Sequence, residues 1–323
     1  MVTKVKTKKR KLMKKKRNGG NNTTLKNPHN TNTCSPFSAN NKVMEHSCFS
    51  RNSLEKMKGY FNKNKKRQKN IKSNDPKVIW KKLHDFVKNN TDCSKESCWI
   101  DELVDNKLDR EKLKLFFVPL QPKHWKKNKN AWLSNFDILN VLKQYEMTMS
   151  NFKFIGPAPI DFDAKENGRC VDKDVCSFHL FKNKSKKKYG FVFNLDPHDK
   201  DGSHWVALYA DLTDKFIYYF DSNGEKIPNE IYALVERMLK QAKEKGVSLE
   251  FYQNIHTEHQ NTNTECGMYV LYFIITMLSR KNEKGESLSK NQLIKYFHGK
   301  LDGKINDSVV EDLRDDYFRP RND

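Results

Sequence analysis

The chain has 323 residues and a formal net charge of +21, long enough to bury one large core or two ordinary ones. Residues 1–70 hold 20 Lys/Arg against only Glu45 and Glu55, while residues 71–323 hold 41 basic against 38 acidic side chains, so the excess charge belongs to the N-terminal segment. No apolar stretch follows the first basic residues as a secretory leader requires, and the longest mainly apolar run, Met268 to Leu278, is too short to span a bilayer.

Residues 1–76 are rich in Lys, Asn, Ser and Thr and poor in apolar periodicity. Little burial is available there to offset ordering entropy, so this segment is predicted to be a basic, disordered tail. Its two basic clusters are Lys8–Arg17 and Lys63–Lys69. With no aromatic residue between Lys4 and Arg17, contact with nucleic acid would run through phosphates rather than base stacking. An import or packaging signal and a solubilising tail are the other readings.

From Pro76 the apolar residues recur. Val78, Ile79, Leu83, Phe86 and Val87 predict a helix over 77–89. Leu103, Leu108, Leu113 and Phe116 add one or two more, so 77–120 is read as a small helical subdomain. Ser134, with Asp137 three residues on, caps a helix over 134–146. Gly156, Pro157 and Pro159 then break the chain. Tyr189–Leu195, Trp205–Leu212 and Phe216–Phe220 read as strands, the last two as an antiparallel hairpin across Thr213–Lys215. Pro228 opens a helix that Gly246 stops, and Val247–Ile255 is a further strand. Met268–Leu278 is a buried helix, and two more helices, near 289–299 and 307–318, finish the chain. Residues 121–323 are thus expected to form one α+β domain, a sheet of four or five strands with helices against it.

Four residues at element boundaries carry the chemistry. Cys266 lies just ahead of the apolar helix, where the partial positive charge of a helix N-terminus favours a thiolate. Gly267 beside it would let a substrate backbone approach. His204 opens a strand and can take a proton from a thiol and later return it to a leaving amine. Asp221 ends the partner strand, at the same sheet edge, and can hold the imidazole in its productive tautomer. Gln260, six residues before Cys266, can help the Cys266 N–H bind an oxyanion. Singly, each has an ordinary alternative: a core cysteine, a surface histidine, a turn aspartate in Asp-Ser-Asn-Gly, a solvated glutamine. Together they point to thiol acyl transfer, which spacing alone does not settle.

Other signals are weaker. The seven cysteines are odd in number and widely spread, which predicts free thiols in a reducing compartment. Cys93/Cys98 and Cys170/Cys176 with His179 fit zinc spacing poorly, so no metal and no cofactor is expected and the roles of these four cysteines stay open. Asp161 and Asp163 are read as a solvated turn.

The stretches Gly202-Ser203-His204-Trp205-Val206-Ala207, Tyr219-Phe220-Asp221-Ser222 and His259-Gln260 through Thr264-Glu265-Cys266-Gly267 resemble the His, Asp and Gln–Cys motifs of the ubiquitin-like-protein (SUMO) proteases and the adenovirus protease. The resemblance extends upstream to the polyprotein-processing proteases of African swine fever virus and giant DNA viruses, through Cys93 to Ile100, Leu133–Ile138 and Pro159–Asp163. Asp221 stands where the swine-fever enzyme has Asn, a position whose orienting role tolerates both. The resemblance implies an adenovirus-protease-like core, a central mixed sheet with packed helices and a small N-terminal helical arm. It implies Cys266, His204, Asp221 and Gln260 as catalytic residues, and cleavage after Gly-Gly in viral structural polyproteins, in the virion or the host cytoplasm. A deconjugase acting on SUMO or ubiquitin would share the chemistry. A non-enzymatic virion protein binding DNA through residues 1–70 is the third reading.

Overall fold

The computed structural model describes residues 34–39, 43–64, 69–93 and 95–321. The cluster Lys8–Arg17 and the centre of Lys63–Lys69 lie outside the described residues, and so does most of the predicted tail.

The described part of that tail corrects the expectation for 1–76. Helix α1 (Pro36–Ala39) is a single turn, but α2 (Arg51–Lys63) is a full amphipathic helix. The Ser50 hydroxyl accepts the Ser53 N–H as its N-cap, and Leu54, Met57 and Phe61, at helical spacing, are buried. These few apolar residues suffice because they complete a core that is shared with the following segment. That segment supplies α3 (Pro76–Asn90), α4 (Glu96–Leu103) and α5 (Lys107–Lys114). Ile79, Leu83, Val87, Trp99, Ile100 and Leu103 close over α2 to form one apolar cluster. The helical arm therefore begins well before residue 77.

The cysteine expectation is also corrected. Cys34–Cys48, Cys93–Cys98 and Cys170–Cys176 are disulfides, and Cys266 is the free cysteine. Short loops bring each pair to Cα–Cα distances of 5.2, 5.9 and 6.3 Å, within reach of a bridge. The pairing takes up the sulfurs that the zinc alternative would need.

After a 3-10 turn (Lys123–Lys126) come α6 (Asn135–Thr148), with a Ser134/Asp137 capping box, and β1 (Phe152–Pro159). A two-residue hairpin, β2 (Lys165–Glu166) and β3 (Arg169–Cys170), precedes α7 (Lys173–Cys176). Strands β4 (Lys188–Asn194), β5 (Trp205–Asp211) and β6 (Phe216–Phe220) lead to α8 (Asn229–Glu244) and β7 (Glu250–Gln253). Helices α9 (Cys266–Ser279), α10 (Lys290–Phe297), α11 (Asp307–Asp312) and α12 (Arg314–Tyr317) complete the chain.

The main sheet has the order β1-β4-β5-β6-β7, with β1/β4 and β6/β7 parallel and the central pairs antiparallel. Strand β1 runs through the segment in which glycine and prolines predict a break. It lies at the sheet edge, where a proline without an N–H is tolerated, and its register shifts between Ile155 and Ala158. Along β5 and β6 alternate side chains enter different cores. Ala207, Tyr209, Phe216, Tyr218 and Phe220 face α6, α9 and α10, whereas Val206, Leu208, Ala210, Ile217 and Tyr219 face α8. Both faces of these strands are covered, which is why they read as continuous apolar runs.

Every residue of α9 from Cys266 to Leu278 is buried. Phe273 of α9 stacks on Phe220 of β6 at 4.8 Å, which sets the first turn of α9 beside the open end of β5 and β6. The arm is tied to this core by side-chain and main-chain bonds. Gln144 Nε2 donates to the Phe117 carbonyl (2.7 Å), and Arg319 Nε donates to the Val118 carbonyl (2.9 Å).

Candidate active site

Strand polarity assembles the site. β5 and β6 pair antiparallel with Ala207 opposite Phe220, so the residue before β5 and the residue after β6 emerge at one sheet edge. Those residues are His204 and Asp221. His204 Nε2 donates to Asp221 Oδ1 at 2.7 Å, with the His204 side chain 14% exposed and that of Asp221 1%. Cys266, the first residue of α9, is buried against the same imidazole. Since Nε2 is committed to Asp221, Nδ1 is the ring nitrogen left to face the thiol. Burial works against a charged ring here, but hydrogen bonds to Asp221 and Cys266, together with their charges, outweigh it and raise His204 to about 9.

Asp221 is held from three sides. Its Oδ1 also accepts the Asn223 N–H (2.8 Å). Its backbone N–H donates to Asn254 Oδ1 (3.0 Å), and Asn254 Nδ2 donates back to the Asp221 carbonyl (2.6 Å). The loop before His204 is pinned as well. Asn194 Oδ1 accepts the N–H groups of Asp196 (3.0 Å) and Ser203 (3.3 Å). Gly202 has φ +93°, and a Cβ there would lie 2.3 Å from Asn194 Nδ2, so this turn needs glycine.

Gln260 lies in the loop that leads to Cys266, 4% exposed. Its Oε1 accepts the Ser222 hydroxyl (2.8 Å), and its Nε2 donates one N–H to the Thr262 carbonyl. The Ser222 carbonyl accepts the N–H groups of His259 (2.7 Å) and Gln260 (3.0 Å). This lashes the loop to the end of β6. His259 itself is structural. Its Nδ1 accepts the Ile305 N–H (2.9 Å), its Nε2 donates to the Phe297 carbonyl (2.8 Å), and burial lowers its proton affinity.

The arrangement comprises a buried thiol at a helix N-terminus, an imidazole on it, and a carboxylate fixing the ring. It is chemically equipped for nucleophilic acyl transfer. Residues 184–313 match the Ulp1 protease family, C-terminal catalytic domain. That stretch holds His204, Asp221, Gln260 and Cys266, so the site lies within the part of the chain that is similar to that catalytic domain.

A protein of Acanthamoeba polyphaga mimivirus named as a thiol protease is 32% identical over 167 residues, 50% of this chain and 52% of the relative, so the chain spans about half the length of that relative. A cysteine protease of African swine fever virus is 27% identical over 218 residues, 61% of this chain and 78% of the relative. The crystal structure of an African swine fever virus protease superposes with a TM-score of 0.56 at 22% identity, covering 76% of this chain and 91% of the other, a likeness in fold. The fold is thus shared with that viral protease: α+β, a mixed sheet with packed helices.

Two sequence expectations change around this site. Gly267 does not open the site to substrate: a Cβ there would sit 2.9 Å from Leu133 Cβ, so the glycine admits the segment leading into α6. Trp205 packs under the same segment, donating Nε1–H to the Leu133 carbonyl (3.0 Å). Asp161 is not a simple solvated turn residue, because it accepts the His198 N–H (3.0 Å) and contacts His198 Nδ1 (2.6 Å). Asp163 pairs with Arg237 (2.6 Å).

Four residues escape sequence reasoning. Asn254 clamps Asp221, and Ser222 clamps Gln260; neither has a local signature, because each acts across strands. Trp132, 42% exposed, donates Nε1–H to the Asn263 carbonyl (2.8 Å) and so borders the loop before Cys266. Arg314 forms a buried pair with Glu265, from a helix 48 residues beyond Cys266 in sequence.

Proposed function

We propose that this chain is a cysteine endopeptidase that cleaves viral structural polyproteins after Gly-Gly during virion maturation. The observation that carries the chemistry is the 2.7 Å bond from His204 Nε2 to Asp221 Oδ1 at the ring that faces Cys266. The Cys266 proton passes to His204 Nδ1, and the thiolate attacks the scissile carbonyl. The tetrahedral oxyanion takes the Cys266 backbone N–H, one of the orphan donors of the first turn of α9, and the remaining N–H of Gln260 Nε2. As the C–N bond breaks, His204 protonates the leaving amine. His204 then deprotonates a water, which attacks the thioester and releases the acid and the Cys266 thiol.

The substrate reading is supported by the names of the viral relatives as proteases and by the motif likeness around His204, Asp221 and Cys266. Other African swine fever virus relatives are named SUMO-1 cysteine proteases, which favours a deconjugase as the second reading. An open cleft of about 730 Å³ adjoins Gln260, lined by Asn223, Glu225, Glu258, Thr262 and Asn263, and offers room for an extended chain. The N-terminal basic segment is proposed to contact nucleic acid through phosphates, which salt would weaken steeply.

The test is cleavage of a peptide with an internal Gly-Gly, alongside a SUMO-vinyl-electrophile probe. Cys266→Ala should abolish cleavage with unfolding unchanged. Cleavage by that variant would defeat the assignment. Capture of the probe with no peptide cleavage would favour the deconjugase.

A further inference from the structure

Glu265 is the residue before the nucleophile, and its side chain is fully buried. A carboxylate there is an odd neighbour for a thiol that must ionise, because a like charge one residue away opposes the thiolate. Arg314 answers it. Its Nη2 lies 2.6 and 2.8 Å from the two carboxylate oxygens and its Nε lies 3.1 Å from Oε2, a forked pairing that a lysine could not reproduce. The guanidinium lies over the Trp125 ring at 4.4 Å and donates to the Ala131 carbonyl (3.3 Å). It therefore also fixes the chain just before Leu133, the residue packed against Gly267.

We propose that Arg314 is a positioning residue for the nucleophile, neutralising Glu265 at the cap of α9 so that the charge beside the Cys266 thiol remains that of the helix N-terminus and of His204. Among the described residues, other charged groups near this end of α9 include Asp221 behind His204, Glu311 of α11, which acts on Glu265, and Asp307, which is bonded to the Tyr269 hydroxyl (2.9 Å). All three are acids, so none of them can take over from Arg314, and without it Glu265 carries an unpaired charge wherever the pH keeps it ionised. Burial pushes the Glu265 carboxyl upward, and Arg314 counters by favouring its ionised form. The inference rests on Cys266 being the reactive thiol.

The test is the pH dependence of Cys266 alkylation by iodoacetamide, read by mass spectrometry on the full chain. Arg314→Met should move the midpoint up by about one pH unit and slow alkylation near neutrality about tenfold. The double variant Glu265→Gln with Arg314→Met, which removes both charges, should return the midpoint to that of the unaltered protein. Arg314→Lys, which keeps the charge without the fork, should fall between. If Arg314→Met does not fold, the double variant and the lysine variant still decide. A midpoint unmoved in every variant, or a double variant as slow as the single one, would overturn the proposal and leave Arg314 a brace of the fold. An unaltered protein whose Cys266 reacts no faster than an ordinary thiol would overturn the reading of the site itself.

Discussion

Asp221 Oδ1 accepts two hydrogen bonds, from His204 Nε2 at 2.7 Å and from the Asn223 N–H at 2.8 Å. The first fixes the imidazole, and the second fixes the carboxylate that fixes it. Because the second donor is main chain, the orientation of the ring is built into the turn after β6.

The raised proton affinity of His204 sets a pH window. Burial lowers it, the bonds and charges of Asp221 and Cys266 raise it, and the balance carries it from 6.5 to about 9. For a group raised on folding, the stabilisation is full below the ordinary value and is lost as pH climbs to the folded one. Thermal stability should therefore decline between pH 6.5 and about 9, and kcat/KM should fall on an alkaline limb near 9. Asp221→Asn removes a raising charge, so both should shift to lower pH. A limb that stays in place in the variant would mean that another group titrates there.

Asn254 is buried and bonds both main-chain polar groups of Asp221. Asn254→Ala leaves them without these partners, at a cost of about 1–3 kcal/mol. Its effect on peptide cleavage should appear in kcat with KM little changed, since the side chain orients Asp221 rather than substrate. An altered KM at constant kcat would assign Asn254 to the substrate cleft.

The helix Arg51–Lys63 tests where the arm begins. Leu54 and Met57 are fully buried. Replacing either with Ala should destabilise the arm by about 2–5 kcal/mol in urea unfolding. A change within the error of such a measurement would show that the helix does not share the arm core.

Thiol titration in denaturant tests the covalent framework. One thiol per chain should react before reduction and seven after it. Several reactive thiols before reduction would mean that Cys34, Cys48, Cys93, Cys98, Cys170 and Cys176 are not paired as described.

What could be read from sequence follows physical range. The apolar runs of β5, β6 and α9 are legible because burial on all sides makes a pattern that needs no knowledge of the partner. His204, Asp221 and Cys266 stand out because each adjoins such a run, and Gln260 because it precedes Cys266 by six residues. The edge strand β1 is hidden by Gly156, Pro157 and Pro159, whose cost depends on edge placement that local sequence does not show. In 51–63 the spacing of Leu54, Met57 and Phe61 behind Ser50 is a usable helix signal, outweighed by the surrounding lysines and asparagines. Asn254 and Arg314 act across the fold, 33 residues from Asp221 and 49 from Glu265 respectively, and spacing has nothing to say about such pairs.

The most direct measurement is mass spectrometry of the chain after exposure to a peptide vinyl sulfone ending in Gly-Gly. A single adduct is expected, on Cys266, and it should disappear in His204→Ala while the fold persists. No adduct in the unaltered chain, or labelling of Cys266 that is indifferent to His204, would contradict it.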